Sequence, residues 1–494
     1  MIERDVHVNN THLRATILAG GSGQRFWPLS RELNPKQLLS MFGTESLIAA
    51  AVHRILPFTE GGASVSIATN ERLFDELRNH LTAQPDPALH AVRYIQEPLP
   101  KNTAPAVALA AAIFYAEDPD AIMAVLPSDH QLQDGDTWAD CINAATALAA
   151  DGYLVTIGIK PSRAETGYGY IRSGEPLPEY AVGSVTPYVA AEFVEKPSAE
   201  FAEECIACGD YFWNAGIFVM KASRVLEELD AAGGAIAHIA DVVRWIAEQP
   251  EAERNGGEAR ARFSTIEPIS IDHAIMERSD RVVVIPALLE WSDVGSLLAL
   301  EEIAEPDAFG NVRSGRGVDI GSSGNIVYST DRVVATLGVE DLIVVDTTDA
   351  TLVLSKDRAQ DVRQIVEALK LLGAPEVSQP KVSLRPWGSW TSLLKGPGYQ
   401  IKLLTLKPGG RPSLQSHAHR SEHWIVVAGC ALVTRGDEVV EVPTNESIFI
   451  PLGAVHRIEN RGTEMLQVIE VQLGDYLGED DIIRLEDDYH RDEK

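Results

Sequence analysis

The sequence predicts an α/β protein in three parts: a doubly wound sheet with helices, a small β connector and a C-terminal β-barrel. Short apolar runs alternate with helix-like stretches from residue 14 to about residue 300. After about residue 305 the segments are short, β-rich and glycine-containing, and beyond residue 385 short strands are separated by glycine, proline or charged turns. At 494 residues the chain also exceeds what one hydrophobic core usually supports. We therefore place the domains at 1–300, 301–378 and 379–494.

In the first part, four apolar runs predict buried strands that end in turn or polar residues: ATILAG, VSIATN, IMAVLPSD and YLVTIGI. The stretches NTAPAVALAAAIFYAE and WADCINAATALAA predict helices between them. Strands that alternate with helices favour a largely parallel, doubly wound sheet. In such a sheet ligands bind at the carboxyl ends of the strands.

The connector contains the β-rich segments GNVRSGRGVDIGSSGNIVYS and VVATLGVEDLIVVDTTDATLVL and closes with the helical pattern DRAQDVRQIVEALKLL. We expect it to be β-helix-like. GAPEVSQPKVS, with two prolines and no apolar period, is the best linker candidate. The last part has the strand-like segments YQIKLLTLKPG, HWIVVAGCALVT, ESIFIPLG and LQVIEVQLG, whose spacing predicts a small barrel or jelly roll.

The chain is strongly acidic, with 72 acidic against 42 basic residues and a net charge of -30. Such a surface repels nucleic acid phosphates and anionic membranes, so we expect neither as a partner. An anionic metabolite can still bind where basic side chains, backbone amides or a metal make a site locally positive.

Four scattered cysteines are too few for a disulfide framework in a chain of this length. Cys205 and Cys208 form one CxxC without the second pair of a zinc site, so ordinary helix cysteines are expected. The polar amino terminus lacks the apolar core of a signal peptide, and no apolar run approaches a membrane span. These features fit a reducing cytoplasm, and a homo-oligomer is compatible with all of them.

The stretch LAGGSGQRFWPLSRELNPKQ follows the first predicted strand. Gly20, Gly21 and Gly23 let backbone N–H groups approach a phosphate, because no Cβ obstructs them. Arg25 and Lys36 can bring two positive charges against a triphosphate. A dinucleotide fingerprint and a Walker loop are both excluded by the spacing. A plain turn is the alternative interpretation, and the combination of glycines with two cations argues against it.

Two carboxylates suit Mg²⁺: Asp129 in LPSDH, at a strand's carboxyl end, and Asp293 in WSDVG. The alternatives are a helix cap for Asp129 and a turn residue for Asp293. Asn102 in PKNTAP can read a base edge or cap the helix that follows it.

In the first 300 residues the sequence resembles the sugar-nucleotide-forming nucleotidyltransferases, and among them the mannose-1-phosphate guanylyltransferases. The matching blocks are GGSGQRFWPLSRELNPKQ, QEPLPKNTAPAVALAA, LPSDH, ETGYGYI, FVEKP, WNAGIF, SIDHAIME and WSDVGS. Phe26, where the family usually has leucine, and Ser128, where it usually has alanine, are conservative departures. The resemblance implies a mixed nucleotidyltransferase-type sheet. It also implies transfer from GTP to mannose 1-phosphate, with in-line attack on the α-phosphorus and no covalent nucleophile.

The resemblance also implies roles for individual residues. The catalytic residues would be Arg25, Lys36 and Asp129. Nucleotide binding would involve Leu18, Ala19, Gly20, Gly21, Gly23, Asn102 and Asp129. Sugar phosphate binding would involve Gly167, Gly169, Glu195, Lys196 and Asn214, and Mg²⁺ would be held by Asp129 and Asp293.

A second set of motifs lies near the C-terminus, in PGGRPSLQSHAHRSEHWIVVAG and IPLGAVHRIEN. Their spacing matches the two cupin motifs, with candidate ligands Gln415, His417, Glu422 and His456. Mixed nitrogen and oxygen ligands suit Zn²⁺ or another divalent metal with an open position. The alternatives are a cupin that has lost its metal and histidines that simply line a polar strand.

The C-terminal part as a whole resembles the type II mannose-6-phosphate isomerases that are fused to a guanylyltransferase. Ala418 and Leu403 depart from that pattern, at positions where histidine and arginine are usual. Aldose–ketose isomerisation moves a proton between C1 and C2 through an enediol, which a metal can stabilise. Phosphate-binding candidates are Lys402, Arg420 and Arg484, and the base is not identified by sequence.

The sequence therefore predicts a bifunctional enzyme that makes mannose 6-phosphate from fructose 6-phosphate and GDP-mannose from mannose 1-phosphate and GTP. A separate phosphomannomutase must connect the two steps. One alternative is a guanylyltransferase whose cupin only senses a sugar phosphate, motivated by Ala418 and Leu403. Another is a non-catalytic regulatory subunit, and the intact residues that argue against it are Arg25, Lys36, Asp129 and Lys196.

Overall fold

The fold is seen in a computed structural model that describes residues 12–21, 23–41, 43, 45–132 and 135–488. The first region carries the strands β1 Leu13–Leu18, β2 Val65–Asn70, β3 Arg93–Glu97, β4 Ile122–Pro127, β5 Gln131–Leu132, β6 Leu154–Ile159, β7 Tyr170–Pro176, β8 Tyr188–Val194, β9 Tyr211–Lys221, β10 Val282–Ala287 and β11 Trp291–Ser292. Its α-helices are α1 Leu47–Ile55, α2 Glu71–Ala83, α3 Pro87–His90, α4 Thr103–Glu117, α5 Asp136–Ala150, α6 Ala199–Cys208, α7 Ala222–Ala232, α8 Gly234–Ala247 and α9 Gly257–Ser264.

Nine of these strands form one sheet in the order β3-β2-β1-β4-β9-β6-β10-β8-β7. The pairs among β1, β2, β3 and β4 are parallel, as is β6 with β10. The expectation of a largely parallel sheet is therefore wrong for the far half, because β9 runs antiparallel between β4 and β6. The mixed sheet implied by the family resemblance is confirmed.

Side chains alternate between the two faces of the sheet, as the period of a strand requires. In β4, Ile122, Ala124 and Leu126 join the core under α1, α2 and α5, whereas Met123 and Val125 join the core under α4, α7 and α8. Helix α4 is apolar on all sides, and the side chains from Ala104 to Phe114 are buried. Because α4 has no polar face, it has to be buried between other elements of the fold.

The connector contains β12 Val312–Ser314, β13 Gly317–Ile320, β14 Ile326–Ser329, β15 Val334–Leu337, β16 Leu342–Asp346, β17 Thr351–Ser355 and the helix α10 Val362–Leu371. Parallel pairs link β12, β14 and β16 in one short sheet and β13 with β15 in another. Successive turns of chain therefore stack in register, as in a β-helix.

The connector shares a hydrophobic core with the glycine-rich loop of the first region. Phe26, Trp27 and Leu29 of the loop pack with apolar side chains of β14, β16 and α10. The segment proposed as a linker is docked as well: the indole of Trp27 donates to the carbonyl of Glu376 at 3.1 Å. The loop is thus anchored by the connector.

The C-terminal region is a two-sheet β-barrel of the cupin type. One sheet has the order β18 Val382–Arg385, β19 Gly388–Gly396, β20 Tyr399–Leu406, β27 Leu466–Gly474, β22 Arg420–Ala428 and β25 Ser447–Ile450. The other has the order β24 Glu438–Pro443, β23 Cys430–Arg435, β26 His456–Glu459, β21 Leu414–His417 and β28 Ile482–Glu486. Their facing side chains form a separate core. Among the described residues of the whole chain, every helix is too short or too polar to cross a bilayer.

Two candidate active sites

A cavity of about 570 Å³ opens at the carboxyl ends of the parallel strands of the first region. The last residues of four neighbouring strands line it: Leu18, Asn70, Glu97 and Pro127. This is the position that the strand order predicts for a ligand.

The glycine-rich loop is held from behind by side chains that bind its carbonyl groups. Gln37 donates to the carbonyl of Gly21 at 3.2 Å, and Asn70 donates to that of Gly20 at 3.3 Å. Within the described part of the chain, the amides of Gly20 and Gly21 make no hydrogen bond, so they remain free for a phosphate. Gly23 has φ 59°, and a Cβ there would lie 2.6 Å from Cβ of Lys36. Only glycine fits this turn.

Lys36 is buried, and its ammonium group donates to three protein oxygens. Nζ lies 3.0 Å from the carbonyl oxygen of Asp293, 2.8 Å from that of Val294 and 2.8 Å from Oδ2 of Asp129. Burial alone would raise the pKa of Asp129, but the charge of Lys36 and its hydrogen bond help to hold that pKa below its usual value. Lys36 therefore fixes and ionises Asp129 before any substrate arrives.

A short antiparallel pairing of β5 with β11 brings Asp293 close to Asp129. Strand β5 begins two residues after Asp129, and strand β11 ends just before Asp293, with Ser292 opposite Gln131. Oδ1 of Asp293 accepts hydrogen bonds from the Tyr168 hydroxyl at 2.7 Å and from the Gly295 amide at 3.1 Å. Both carboxylates face the cavity. Oxygen ligands of this kind are what Mg²⁺ prefers, so the residues present fit a divalent cation.

A second cavity of about 310 Å³ lies on the other side of these carboxylates. Asp129, His130 and Asp293 line both cavities. Burial lowers the pKa of His130, so the imidazole is neutral near pH 7. The remaining walls of the second cavity come from Gly23, Gln24, Arg25, Phe26, Lys36, Gly295 and Arg363. Sequence reasoning missed Arg363, because nothing in DRAQDVRQIVEALKLL separates it from a solvated helix residue.

The residues expected to bind the sugar phosphate line the far end of the large cavity: Gly167, Gly169, Glu195, Lys196 and Asn214. Glu195 and Lys196 form an ion pair with each other. A Cβ on Gly169 would lie 2.7 Å from Oε2 of Glu195, so glycine keeps this end open. Asn214 donates from Nδ2 to Oδ1 of Asp272 at 2.9 Å.

Asp272 is a further lining residue that sequence reasoning passed over, although it lies inside the quoted block SIDHAIME. Burial, together with the nearby charge of Glu195, raises its pKa to about 6. Asn102 lines the cavity and also caps α4, because its Oδ1 accepts from the amide of Thr103 at 2.8 Å. The two interpretations of Asn102 are therefore compatible.

In the barrel, His417, Glu422 and His456 form a buried cluster whose ligand atoms all lie within 4.8 Å of one another. Nε2 of His417 is 3.2 Å from Oε1 of Glu422, and Nε2 of His456 is 3.7 Å from Oε2. Nε2 of His456 has no hydrogen-bond partner among the described residues, although it is buried. A buried imidazole nitrogen without a partner, aimed at a carboxylate, fits a divalent metal.

The fourth expected ligand, Gln415, lies beside this cluster. Its Nε2 is 3.4 Å from Nε2 of His417, while its Oε1 accepts from the Ser413 hydroxyl at 2.9 Å. His419 and His423 are exposed and lie outside the cluster. Ala418 is exposed too, so a side chain at that position does not reach the ligands.

A pocket of about 370 Å³ leads to the cluster, and four cationic side chains line it: Arg385, Lys402, Arg420 and Arg484. Leu403 points to the opposite face of β20 from Lys402, so this departure does not alter the pocket wall. Part of the wall belongs to the first region: Asp75, Glu76 and Asn79 of α2 line the same pocket. Arg385 donates to Oε2 of Glu76 at 3.4 Å across this boundary. No local sequence signal predicts that contact.

Three known families match successive parts of the chain. Residues 14–308 match the nucleotidyl transferase family, residues 315–369 the MannoseP isomerase/GMP-like beta-helix domain, and residues 373–487 the mannose-6-phosphate isomerase C-terminal family. The alginate biosynthesis protein AlgA of Pseudomonas aeruginosa is 41% identical over 481 residues, covering 96% of each chain.

Two further proteins illustrate the likeness. The mannose-1-phosphate guanylyltransferase ManC of Salmonella typhimurium is 41% identical over 492 residues, covering 98% of this chain and 99% of its own length. A crystal structure from Thermus thermophilus, described as a mannose-1-phosphate geranyltransferase, is 31% identical with a TM-score of 0.62. The match covers 100% of that crystal structure's chain and 73% of this chain.

Proposed function

We propose that this chain, which belongs to the nucleotidyl transferase family and also carries a mannose-6-phosphate isomerase C-terminal domain, catalyses two reactions. The first is transfer of a guanylyl group from GTP to mannose 1-phosphate, which gives GDP-mannose and pyrophosphate. The second is interconversion of mannose 6-phosphate and fructose 6-phosphate in the barrel. The observation that carries the first is that the glycine loop, the two carboxylates and the sugar subsite line one cavity.

In the transferase site the chain has to align two anions. The free amides of Gly20 and Gly21 suit phosphate oxygens of the nucleotide. Lys196 and Asn214 line the far end of the cavity and would hold mannose 1-phosphate there, so that its phosphate oxygen attacks the α-phosphorus. One P–O bond forms, and the bond to the bridging oxygen breaks as that oxygen leaves with its electron pair.

Asp129 and Asp293 would hold Mg²⁺ between the two cavities. When bound, the cation neutralises charge on the phosphates in the transition state. The contribution of Lys36 is indirect, because its donors are already engaged by Asp129 and two carbonyl oxygens. We assign it to holding Asp129 ionised and correctly oriented. The guanine preference rests on the relatives alone.

In the barrel, His417, Glu422 and His456 would hold Zn²⁺ or another divalent metal, with Gln415 beside them. When bound, the metal supplies stabilisation of developing oxyanion charge. Lys402 and Arg385, which line the pocket, are suited to the sugar phosphate. The sensor-only alternative for the barrel is not favoured, because the departures at Ala418 and Leu403 lie off the pocket wall.

We also assign both reactions to the cytoplasm, where GTP and hexose phosphates are available. Incubation of the pure full-length protein with mannose 1-phosphate, Mg²⁺ and each of the four nucleoside triphosphates tests the first reaction. GDP-mannose and pyrophosphate should form with GTP and at most slowly with the others. A coupled assay from mannose 6-phosphate, with divalent metals added in turn, tests the second. Absence of either product would overturn the corresponding assignment.

A further inference from the structure

The connector contributes a cationic side chain to the transferase cleft. Arg363, in the first turn of α10, lines the 310 Å³ cavity together with Arg25, Lys36 and the two carboxylates. It lies outside the residues that match the nucleotidyl transferase family, which end at 308. It belongs instead to residues 315–369, which match the MannoseP isomerase/GMP-like beta-helix domain.

Arg25 and Arg363 are exposed and line this cavity. Within the ranges that the structure describes, neither guanidinium takes part in a hydrogen bond or an ion pair, whereas the donors of Lys36 are fully engaged. This acidic protein has a net charge of -30, and yet two arginines without a carboxylate partner among the described residues line one cavity. A guanidinium group can bind a phosphate through two parallel N–H···O hydrogen bonds. The volume of the cavity is sufficient for a diphosphate group.

The geometry of the reaction determines which phosphates would enter. The sugar subsite lies in the large cavity, and Asp129 and Asp293 lie on the boundary between the two cavities. In-line displacement places the attacking and leaving oxygens on opposite sides of the α-phosphorus. With mannose 1-phosphate arriving from the large cavity, the β- and γ-phosphates lie toward the small one.

We propose that the 310 Å³ cavity is the pyrophosphate site and that Arg363 of the connector binds the leaving pyrophosphate together with Arg25. This rests on the proposed transferase function. The connector is then part of the active site as well as a support for it. Its position is fixed by the core that α10 shares with Phe26 and Trp27 of the loop, next to Arg25.

The test is steady-state kinetics of Arg363→Ala and Arg363→Lys in both directions of the transferase reaction. The reverse reaction separates the two substrates, because GDP-mannose lacks the leaving pyrophosphate. Loss of one guanidinium–phosphate contact should raise KM for pyrophosphate, and for GTP, roughly tenfold or more. KM for GDP-mannose and for mannose 1-phosphate should stay unchanged, and the Arg363→Lys variant should be intermediate. Isomerase kinetics should also stay unchanged.

Arg358→Ala is the matched control, since Arg358 is an exposed arginine just before α10 that pairs with Asp361 away from the cavity. Equal changes in KM for pyrophosphate and GDP-mannose would indicate a structural role and overturn the proposal. So would wild-type values in Arg363→Ala. Protection against thermal unfolding by magnesium pyrophosphate gives a readout that needs no turnover. An inactive wild type would overturn the proposed function. Even then, magnesium pyrophosphate that protects the wild type but not Arg363→Ala against thermal unfolding would support the pyrophosphate site.

Discussion

Lys36 and Asp129 form an ion pair in which Nζ lies 2.8 Å from Oδ2, with the lysine side chain 7% exposed and the aspartate 36% exposed. The pair is thus asymmetric: the cation is inside the protein and the carboxylate faces the cleft. An ionised carboxylate that is fixed in position loses little freedom when it binds a cation.

Replacement of Asp129 by alanine should abolish the transferase reaction and leave the isomerase reaction intact. The variant removes the proposed ligand for the cation and leaves Lys36 without its charge partner, so we expect a loss in kcat of about 100-fold or more. Both activities should be assayed on the same preparation, together with its circular dichroism spectrum. A folded variant in which both activities fell together would contradict two independent sites.

Replacement of His456 by alanine should have the reverse effect. The buried cluster loses one of its two imidazoles, so the bound metal measured by elemental analysis should fall with isomerase activity. GDP-mannose formation should be unchanged. His423→Ala is a matched control, because His423 is an exposed histidine of the same barrel. Full isomerase activity in a metal-free His456→Ala variant would rule out the metal.

The order of the motifs was enough to place the main cleft. Asp129 follows a buried strand and the glycine loop follows another, and the carboxyl ends of neighbouring parallel strands meet at one edge. The spacing in the cupin motifs likewise anticipates the cluster of His417, Glu422 and His456.

Contacts between the three regions could not be predicted, because they depend on packing between segments hundreds of residues apart. Arg363 reaches the cleft only because α10 packs on the loop, and Glu76 reaches the barrel pocket only because α2 lies against β18. The antiparallel course of β9 was missed for a different reason. Its apolar pattern is the same in either strand direction.

Arg385 should contribute to sugar phosphate binding in the barrel although Glu76 of α2 shares its guanidinium. We expect Arg385→Ala to raise KM for mannose 6-phosphate roughly tenfold with little change in kcat, as for loss of one charge-assisted contact. The transferase reaction should be unaffected. Arg435→Ala, at the end of β23 and outside the residues that line the pocket, is the control. An unchanged KM would remove Arg385 from the phosphate site.

The ion pair between Arg31 and Asp349 should hold the loop to the connector. Nη2 of Arg31 lies 2.9 Å from Oδ1 of Asp349, and the two side chains are 1% and 5% exposed. Asp349→Ala leaves a buried guanidinium without its partner, which costs about 3–5 kcal/mol of unfolding free energy. Thermal unfolding should show a clearly lower midpoint. Glu117→Ala, which breaks the exposed pair with Arg93, should change the free energy of unfolding by less than about 1 kcal/mol.

Glu97 should make the stability of the protein fall as pH rises toward neutrality. Its side chain lies at the end of β3 behind Gly20, and burial raises its pKa to about 7, well above the ordinary value of a glutamate. The folded state therefore holds this proton more tightly than the unfolded state, so the unfolding free energy decreases between the two pKa values and levels off above the higher one. The shift corresponds to roughly 3 kcal/mol at full ionisation.

Glu97→Gln abolishes this loss of stability, so the melting temperature of the variant should exceed that of the wild type at about pH 8 and approach it at about pH 4. Glu71→Gln, at an exposed position of α2, should run parallel to the wild type across the same range. Parallel curves for Glu97→Gln and the wild type would mean that folding does not raise the pKa of Glu97.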